Sequence, residues 1–278
     1  MYRFGIFGHP IKHSLSPRMH AVSFKSIGLE ATYEAFDVDF SQLRQQLEAC
    51  QQAGFTGLNI TIPHKTAIIP LLTRVDSLAA RVGAVNTIHF EGDGVMTGYN
   101  TDIIGFQEDL RESCGITPAH KRVLVLGCGG AGRAVTFACT GASEIYLADP
   151  MTERAEVLAR DMQAAKQRHG HTATVHILPG QQQKWAEIAP SCDLIVHCTP
   201  AGLKPEDVSV LPASSFHPGQ TVYDLVTYPN PPTLATALAA GAKGTNGIGM
   251  LIRQGAASFK IWTGLDADIN AMRTAIQT

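Results

Sequence analysis

The chain has 278 residues, 45% hydrophobic and 17% charged, with a formal net charge of −2. That length holds one large α/β domain or two modest ones around a sizeable core, and the near-neutral balance offers no basic field for a phosphate backbone, so nucleic acid is not an expected partner. The opening MYRFGIFGHP lacks the longer apolar run and cleavage site of a secretory signal, and no stretch of about 18 apolar residues occurs, so no membrane association is expected and the location reads as cytoplasmic.

In chain order, RFGIFG, ATYEAFDV, FTGLNITI, GAVNTIHF and GVMTGY read as strands. PRMHAVSFKSIG, SQLRQQLEACQQAG and TAIIPLLTRV read as helices between them. EGDG at 91–94 carries hairpin-turn chemistry, which predicts a mixed sheet with one antiparallel pair. From Lys121 the pattern alternates strictly: RVLVLG, a helix from Ala131, EIYLAD, a helix from Thr152 to about His169, ATVHIL, a short helix, DLIVHC and QTVYDLV. Runs so rich in Val, Ile and Leu imply strands buried on both faces, hence a parallel sheet with helices on each side. The last helices, MLIRQGAASFKIWTG and DADINAMRTAI, have no strands left to cover in this second domain and are expected to pack back on the first. The expected division is 1–104 with 246–278, and 105–245.

Six cysteines without a C-x-x-C pair read as buried thiols rather than a disulfide frame or zinc site, with Cys128 and Cys139 inside apolar segments. His9, His13 and His20 straddle a strand end, a turn and a helix without ligand spacing, so no metal is expected.

VLVLGCGGAGRAV sets Gly127, Gly129 and Gly132 in G-x-G-x-x-G spacing after a strand and at the start of a helix. Without side chains, such a loop lets a pyrophosphate rest on helix N-terminal N–H groups, as in a Rossmann-type dinucleotide domain. Asp149 ends the next strand, where a carboxylate accepts hydrogen bonds from the free ribose hydroxyls of NAD and repels the extra phosphate of NADP. The alternative is that Asp149-Pro150 is only a turn before Thr152 as helix cap.

NITIPHK alternates Asn59 and Thr61 with isoleucines, putting both polar side chains on one strand face, with Lys65 just beyond Pro63. HSLSP places Ser14 and Ser16 before a proline-initiated helix, where two hydroxyls can hold a carboxylate or Ser16 can simply serve as N-cap. Asn86 and Thr87 form a polar pair in an apolar strand, and Asn100, Thr101 and Asp102 open a helix. Each has a local explanation, but together they cluster at strand ends, where α/β proteins bind ligands. A lysine and an aspartate meeting there form a plausible proton-transfer pair, with a solvated surface lysine as the plain alternative.

Taken in order, HSLSP, NITIPHK, GAVNT, GYNTDIIG, GCGGAGRA and GIGMLIRQGAASFKIWTG resemble the motifs of the shikimate dehydrogenase family, including its quinate/shikimate branch. The resemblance covers essentially the whole chain. It implies a small polyhydroxylated cyclic carboxylic acid as substrate and reversible hydride transfer to a nicotinamide cofactor, with Lys65 and Asp102 as the catalytic pair. It further implies that Ser14, Ser16 and Thr61 hold the substrate carboxylate, that Asn59, Asn86, Asp102 and Gln254 hold ring hydroxyls, and that domain closure joins substrate to cofactor. For the cofactor it implies Gly127, Gly129, Gly130, Ala131, Asp149, Arg154, Thr199, Leu225 and Gly247. Either a monomer or a homodimer is compatible.

Three departures stand out. Where the family's NADP users carry N-R-T-x-x-R, DPMTER keeps Arg154 but substitutes Asp149 and Pro150, favouring NAD and leaving NADP possible. A family tyrosine following D-x-x is Thr227 here, with Tyr228 displaced by one, which in a strand would face the opposite side. The asparagine of N-A-T-P is His197, although Thr199 remains. An aminated analogue such as aminoshikimate, or ligand sensing without turnover, stays open; retention of both Lys65 and Asp102 argues against the sensor.

Overall fold

The structure is a computed structural model describing residues 1–204 and 206–277, the side chains of His169 and Gln277 excepted. The chain divides into two compact units, Met1–Gly105 with Ile252 onward, and Phe106–Leu251.

Unit one begins with β1 (Tyr2–Gly8), α1 (Ser16–Ser26), β2 (Ala31–Asp37), α2 (Leu43–Gln52) and β3 (Gly57–Ile60). It continues through β4 (Arg74–Val75), α3 (Ser77–Val82), β5 (Thr87–Phe90) and β6 (Met96–Tyr99) to α4 (Asp102–Cys114), inside which the chain passes to unit two. The sheet order is β2-β1-β3-β5-β6-β4. In α2, Leu43, Leu47 and Cys50 recur at helical spacing and are buried against Phe7, Leu58, Ile60 and Ile88 of the sheet.

Unit two contains β7 (Arg122–Leu126), α5 (Gly130–Ala138), β8 (Glu144–Ala148), α6 (Thr152–His169), β9 (Thr174–Ile177) and α7 (Gln182–Ile188). After these come β10 (Leu194–His197), β11 (Thr221–Asp224), α8 (Pro232–Ala239) and β12 (Lys243–Asn246). Its strands are all parallel in the order β9-β8-β7-β10-β11-β12, which reverses direction between β7 and β10 and so creates a crevice at their C-terminal ends. Helix α9 (Ile248–Thr263) carries the chain back to unit one, followed by α10 (Ile269–Gln277). There Trp262 of α9 lies across β3 so closely that a Cβ on Gly57 would overlap its indole, and its Nε1 donates to the Ile88 carbonyl at 2.8 Å.

Several expectations need correction. TAIIPLLTRV is not a helix: it forms a 3-10 turn over Ile69–Leu71 and then β4, because Pro70 has no N–H to give and disfavours α geometry in Ile69. The mixed sheet has two antiparallel pairs, β3 with β5 and β5 with β6, rather than one. The 91–94 turn does connect β5 and β6, with Asp93 and Gly94 at φ of 61° and 79°. Unit two also holds α8 and β12, which the sequence reading left out.

Candidate active site

In the unit-one sheet, β3 ends, β5 begins and β6 ends at the same edge, because β5 runs antiparallel to both, with Asn59 opposite Thr87 and Thr87 opposite Tyr99. Polar residues at those three termini therefore converge, together with the first turn of α4. The backbone of Lys65 is tied there by Val85 N–H, which donates to its carbonyl at 2.8 Å. Lys65 Nζ donates to Asp102 Oδ2 at 2.7 Å, while Asn86 Nδ2 donates to Asp102 Oδ1 at 2.9 Å. Asp102 is buried at 3% exposure. It opens α4, where the helix N-terminus favours its negative charge, and its own N–H is taken by Asn100 Oδ1 at 3.1 Å. A buried carboxylate so held keeps the ammonium group in one place, and a lysine in that setting can give and take a proton.

Asn86 extends the network to Gln254 Oε1 at 3.2 Å and Thr101 Oγ1 at 2.8 Å, and its Oδ1 accepts from Thr101 N–H at 2.8 Å. Behind it, Asn59 Nδ2 donates to the Asn86 carbonyl and to Ser258 Oγ, both at 3.1 Å, and Ser258 Oγ lies 2.7 Å from Thr87 Oγ1. Direct hydrogen bonds thus join Lys65, Asp102, Asn86, Gln254 and Asn59. Ser16 is buried at the start of α1, and Tyr33 OH donates to Asn59 Oδ1 at 2.7 Å. Ser16 is not the N-cap: Leu15 occupies that position, and Ser14 Oγ accepts from the Ser16 N–H at 3.3 Å. Thr61 lies one residue beyond β3, still bonded through its N–H to the Phe7 carbonyl at 2.9 Å.

Sequence reasoning missed Ser258 and Tyr33. Ser258 stands four residues after Gln254, hence on the same helix face, a spacing that could have drawn notice. Tyr33 carried no comparable signal.

On unit two, the candidate cofactor residues gather at the C-terminal ends of β7, β8, β10, β11 and β12. Gly127 takes φ of 100°, a region other residues avoid, and a Cβ there would meet Thr199 Cγ2 at 2.9 Å. A Cβ on Gly132 would overlap the Gly127 carbonyl, so glycine is what lets α5 approach the loop. Gly129, by contrast, faces open space and caps α5 with no side-chain hydrogen bond, ahead of Gly130 and Ala131 in the first turn. An open, uncapped helix start fits an anion such as a dinucleotide pyrophosphate.

Asp149 is 3% exposed and follows β8; its Oδ2 accepts from Cys128 N–H at 2.8 Å and its Oδ1 from Met151 N–H at 2.9 Å. It therefore forms the turn and grips the glycine loop as well. Thr152 is not the cap, since Met151 holds that place. Burial first, and then the Asp149 charge, push the Cys128 thiol up to about 12, while Arg133 and Arg154 oppose that shift. The exposed Arg154 thus lies within electrostatic reach of the loop. Leu225 N–H donates to the His197 carbonyl at 2.9 Å, and Gly247 packs so tightly on the Leu225 carbonyl that a Cβ would overlap it.

His197 substitutes for the family asparagine with a bridge of its own. Its Nδ1 is 3.0 Å from Asp224 Oδ1 and its Nε2 is 2.5 Å from Thr199 Oγ1, with His197 and Asp224 fully buried. The strand argument for Tyr228 does not hold: β11 ends at Asp224, so Thr227 and Tyr228 lie beyond it, and Tyr228 is 46% exposed. All six cysteines are free, with Cys128 and Cys139 buried. Among the described residues no cluster of three or more His, Cys, Asp or Glu is arranged to hold a metal ion, and no helix is long and apolar enough to cross a membrane.

A family model described as the shikimate dehydrogenase substrate binding domain matches residues 6–88, and one described as the shikimate 5'-dehydrogenase C-terminal domain matches residues 247–277. A relative from Moorella thermoacetica, shikimate dehydrogenase (NADP(+)), is 43% identical over 271 residues, 96% of this chain and 90% of its own. The chain belongs to the shikimate dehydrogenase family. It is accordingly an oxidoreductase, and the likeness extends to solved structures. Shikimate 5-dehydrogenase from Thermus thermophilus, in complex with NADP(H) and shikimate, aligns with a TM-score of 0.85 at 39% identity, covering 100% of this chain and 99% of that one. Quinate dehydrogenase from Corynebacterium glutamicum, in complex with NAD, aligns with a TM-score of 0.86 at 30% identity, covering 99% of this chain and 98% of that one.

Proposed function

We propose that the chain oxidises shikimate reversibly to 3-dehydroshikimate and prefers NAD over NADP. The observation that carries the reading is the Lys65–Asp102 pair at 2.7 Å, with the Asn86 amide on the other carboxylate oxygen and Asn59 and Gln254 in the same network. When bound, the nicotinamide cofactor accepts the hydride in oxidation and supplies it in reduction. In oxidation Lys65, as the neutral amine, takes the proton of the reacting hydroxyl; in reduction its ammonium form returns one. Asp102 holds the amine in position and balances its positive form. Asn59, Asn86, Asp102 and Gln254 bind ring hydroxyls, and Ser14, Ser16 and Thr61 bind the carboxylate.

For the cofactor, the loop formed by Gly127, Gly129, Gly130 and Ala131 receives the pyrophosphate, with Thr199, Leu225 and Gly247 along the same crevice. The relatives named for NADP make that cofactor a real competitor, and Arg154 could attract its phosphate. Support for NAD comes from Asp149, whose carboxylate is anchored at the end of β8 and followed by proline, so that a 2′-phosphate would meet a fixed negative charge. The same reading admits quinate as a second substrate.

Steady-state kinetics with shikimate and quinate, each with NAD and NADP, tests all three parts. The expected result is growth of reduced-nicotinamide absorbance with shikimate and a higher kcat/KM for NAD. Failure of every combination would overturn the function, and a higher kcat/KM for NADP would overturn the preference alone.

A further inference from the structure

We infer that His197 is a positioning residue for the cofactor: held by Asp224, it accepts the hydrogen bond of the Thr199 hydroxyl and so keeps Thr199 Oγ1 as an acceptor for a donor on the nicotinamide-ribose half of the dinucleotide. This rests on the cofactor part of the functional reading above and gives a role to a residue that departs from the family motif.

A carboxylate oxygen only accepts, so between Asp224 Oδ1 and His197 Nδ1, 3.0 Å apart, the ring nitrogen is the donor. Oδ1 also accepts from Val226 N–H at 3.1 Å, while Oδ2 is buried and without a partner among the described residues, so His197 is the side chain that answers this carboxyl group. A neutral imidazole with its proton on Nδ1 offers only an acceptor at Nε2, which faces Thr199 Oγ1. The threonine hydroxyl therefore donates to the ring. Of its two lone pairs, one is approached by Ala201 N–H at 3.3 Å and the other remains for a ligand. His197 and Asp224 are fully buried on β10 and β11, which gives the bridge a rigid base.

The sheet order decides which part of the cofactor meets Thr199. Asp149 follows β8 on one side of β7, and Thr199 follows β10 on the other. A dinucleotide with its pyrophosphate on the loop after β7 and its adenosine ribose at Asp149 lays its second half toward Thr199. That half carries the donors required, the carboxamide N–H groups and the ribose hydroxyls. Thr199 is half-buried, and its methyl group packs toward Gly127, where a Cβ would meet Cγ2 at 2.9 Å. Valine at 199 would keep that contact and remove only the hydroxyl.

The test compares Thr199→Val, His197→Phe and His197→Asn in the full chain, by fluorescence titration with NAD and calorimetric titration with ADP, which carries the adenosine and pyrophosphate but no nicotinamide half. Losing one hydrogen bond to the cofactor should raise the NAD Kd about three- to tenfold in Thr199→Val and in His197→Phe, and the two together should cost no more than either alone. Asparagine offers the same pair of functions, an N–H for Asp224 and an oxygen for Thr199, so His197→Asn should stay within about threefold of the unaltered protein. The ADP Kd should stay within about twofold throughout. Equal losses for NAD and ADP would make the bridge a support of the glycine loop and overturn the inference. An unchanged NAD Kd in Thr199→Val would overturn it as well, and that variant decides alone if His197→Phe does not fold. Either result leaves the dehydrogenase reading intact, whereas an unaltered protein that binds neither NAD nor NADP would overturn both.

Discussion

His20 in α1 is fully buried, and neither ring nitrogen has a hydrogen-bond partner. Burial lowers its pKa from 6.5 to about 3, so the folded protein keeps it neutral where the unfolded chain would charge it. Below pH 6.5 the unfolded state therefore binds a proton that the folded state refuses, and stability must fall as pH falls. The slope is about 1.4 kcal/mol per pH unit, running from pH 6.5 down to about 3, with no contribution from this group above 6.5. Between pH 7.5 and pH 5.0 the loss assigned to His20 is about 2 kcal/mol. His20→Phe keeps an aromatic ring among Phe24, Tyr33, Phe259 and Trp262 and removes both unpartnered nitrogens. Replacing buried, unsatisfied polar atoms by apolar ones of similar shape is neutral to stabilising. Urea unfolding of both proteins at the two pH values is the assay. The variant should match or exceed the unaltered protein at pH 7.5 and lose about 2 kcal/mol less on going to pH 5.0. Identical pH dependence in the two proteins would refute the reasoning, because it would mean that His20 takes up its proton without unfolding.

Two further predictions concern unit two. Asp149→Ser removes the carboxylate that accepts from Cys128 and Met151, and should lower kcat/KM for NAD by about tenfold while narrowing the NAD-to-NADP ratio; an unchanged ratio would take Asp149 out of cofactor choice. Gly132→Ala would press a methyl group into the Gly127 carbonyl, so it should weaken dinucleotide binding in a fluorescence titration and destabilise the protein by about 1–3 kcal/mol. Native affinity together with a native thermal midpoint would contradict that close approach.

The parts of the fold that were legible in the sequence are those whose side chains carry the structural information. In β7, β8 and β10 the Val, Ile and Leu runs report burial on both faces directly. Strand β12 is KGTN, an edge strand that gains its place from backbone pairing with β11 and has no apolar run to announce it. The 3-10 turn at Ile69–Leu71 misled in the other direction, because an apolar stretch of helical length concealed what Pro70 forbids. The second antiparallel pairing, β3 with β5, joins segments separated by a long excursion and leaves no local turn signal. In the site, short motifs contained Lys65, Asn86 and Asp102. Tyr33 and Ser258 enter the network through contacts with residues distant from them in sequence, Asn59 for both and Thr87 for Ser258, and such contacts are invisible until the sheet is assembled. His197 shows the same limit: its departure from the family asparagine could be read, but its bridge between Asp224 and Thr199 required β10 and β11 side by side.

The central claim is that the Lys65 amine moves the proton. Lys65→Gln tests it most directly, since an amide can still donate to Asp102 yet cannot act as the proton-transfer group. Turnover of shikimate should fall by a factor on the order of 10² or more, with shikimate Kd within about threefold of the unaltered protein. Turnover kept within a factor of about ten, at saturating substrate and cofactor, would contradict the account.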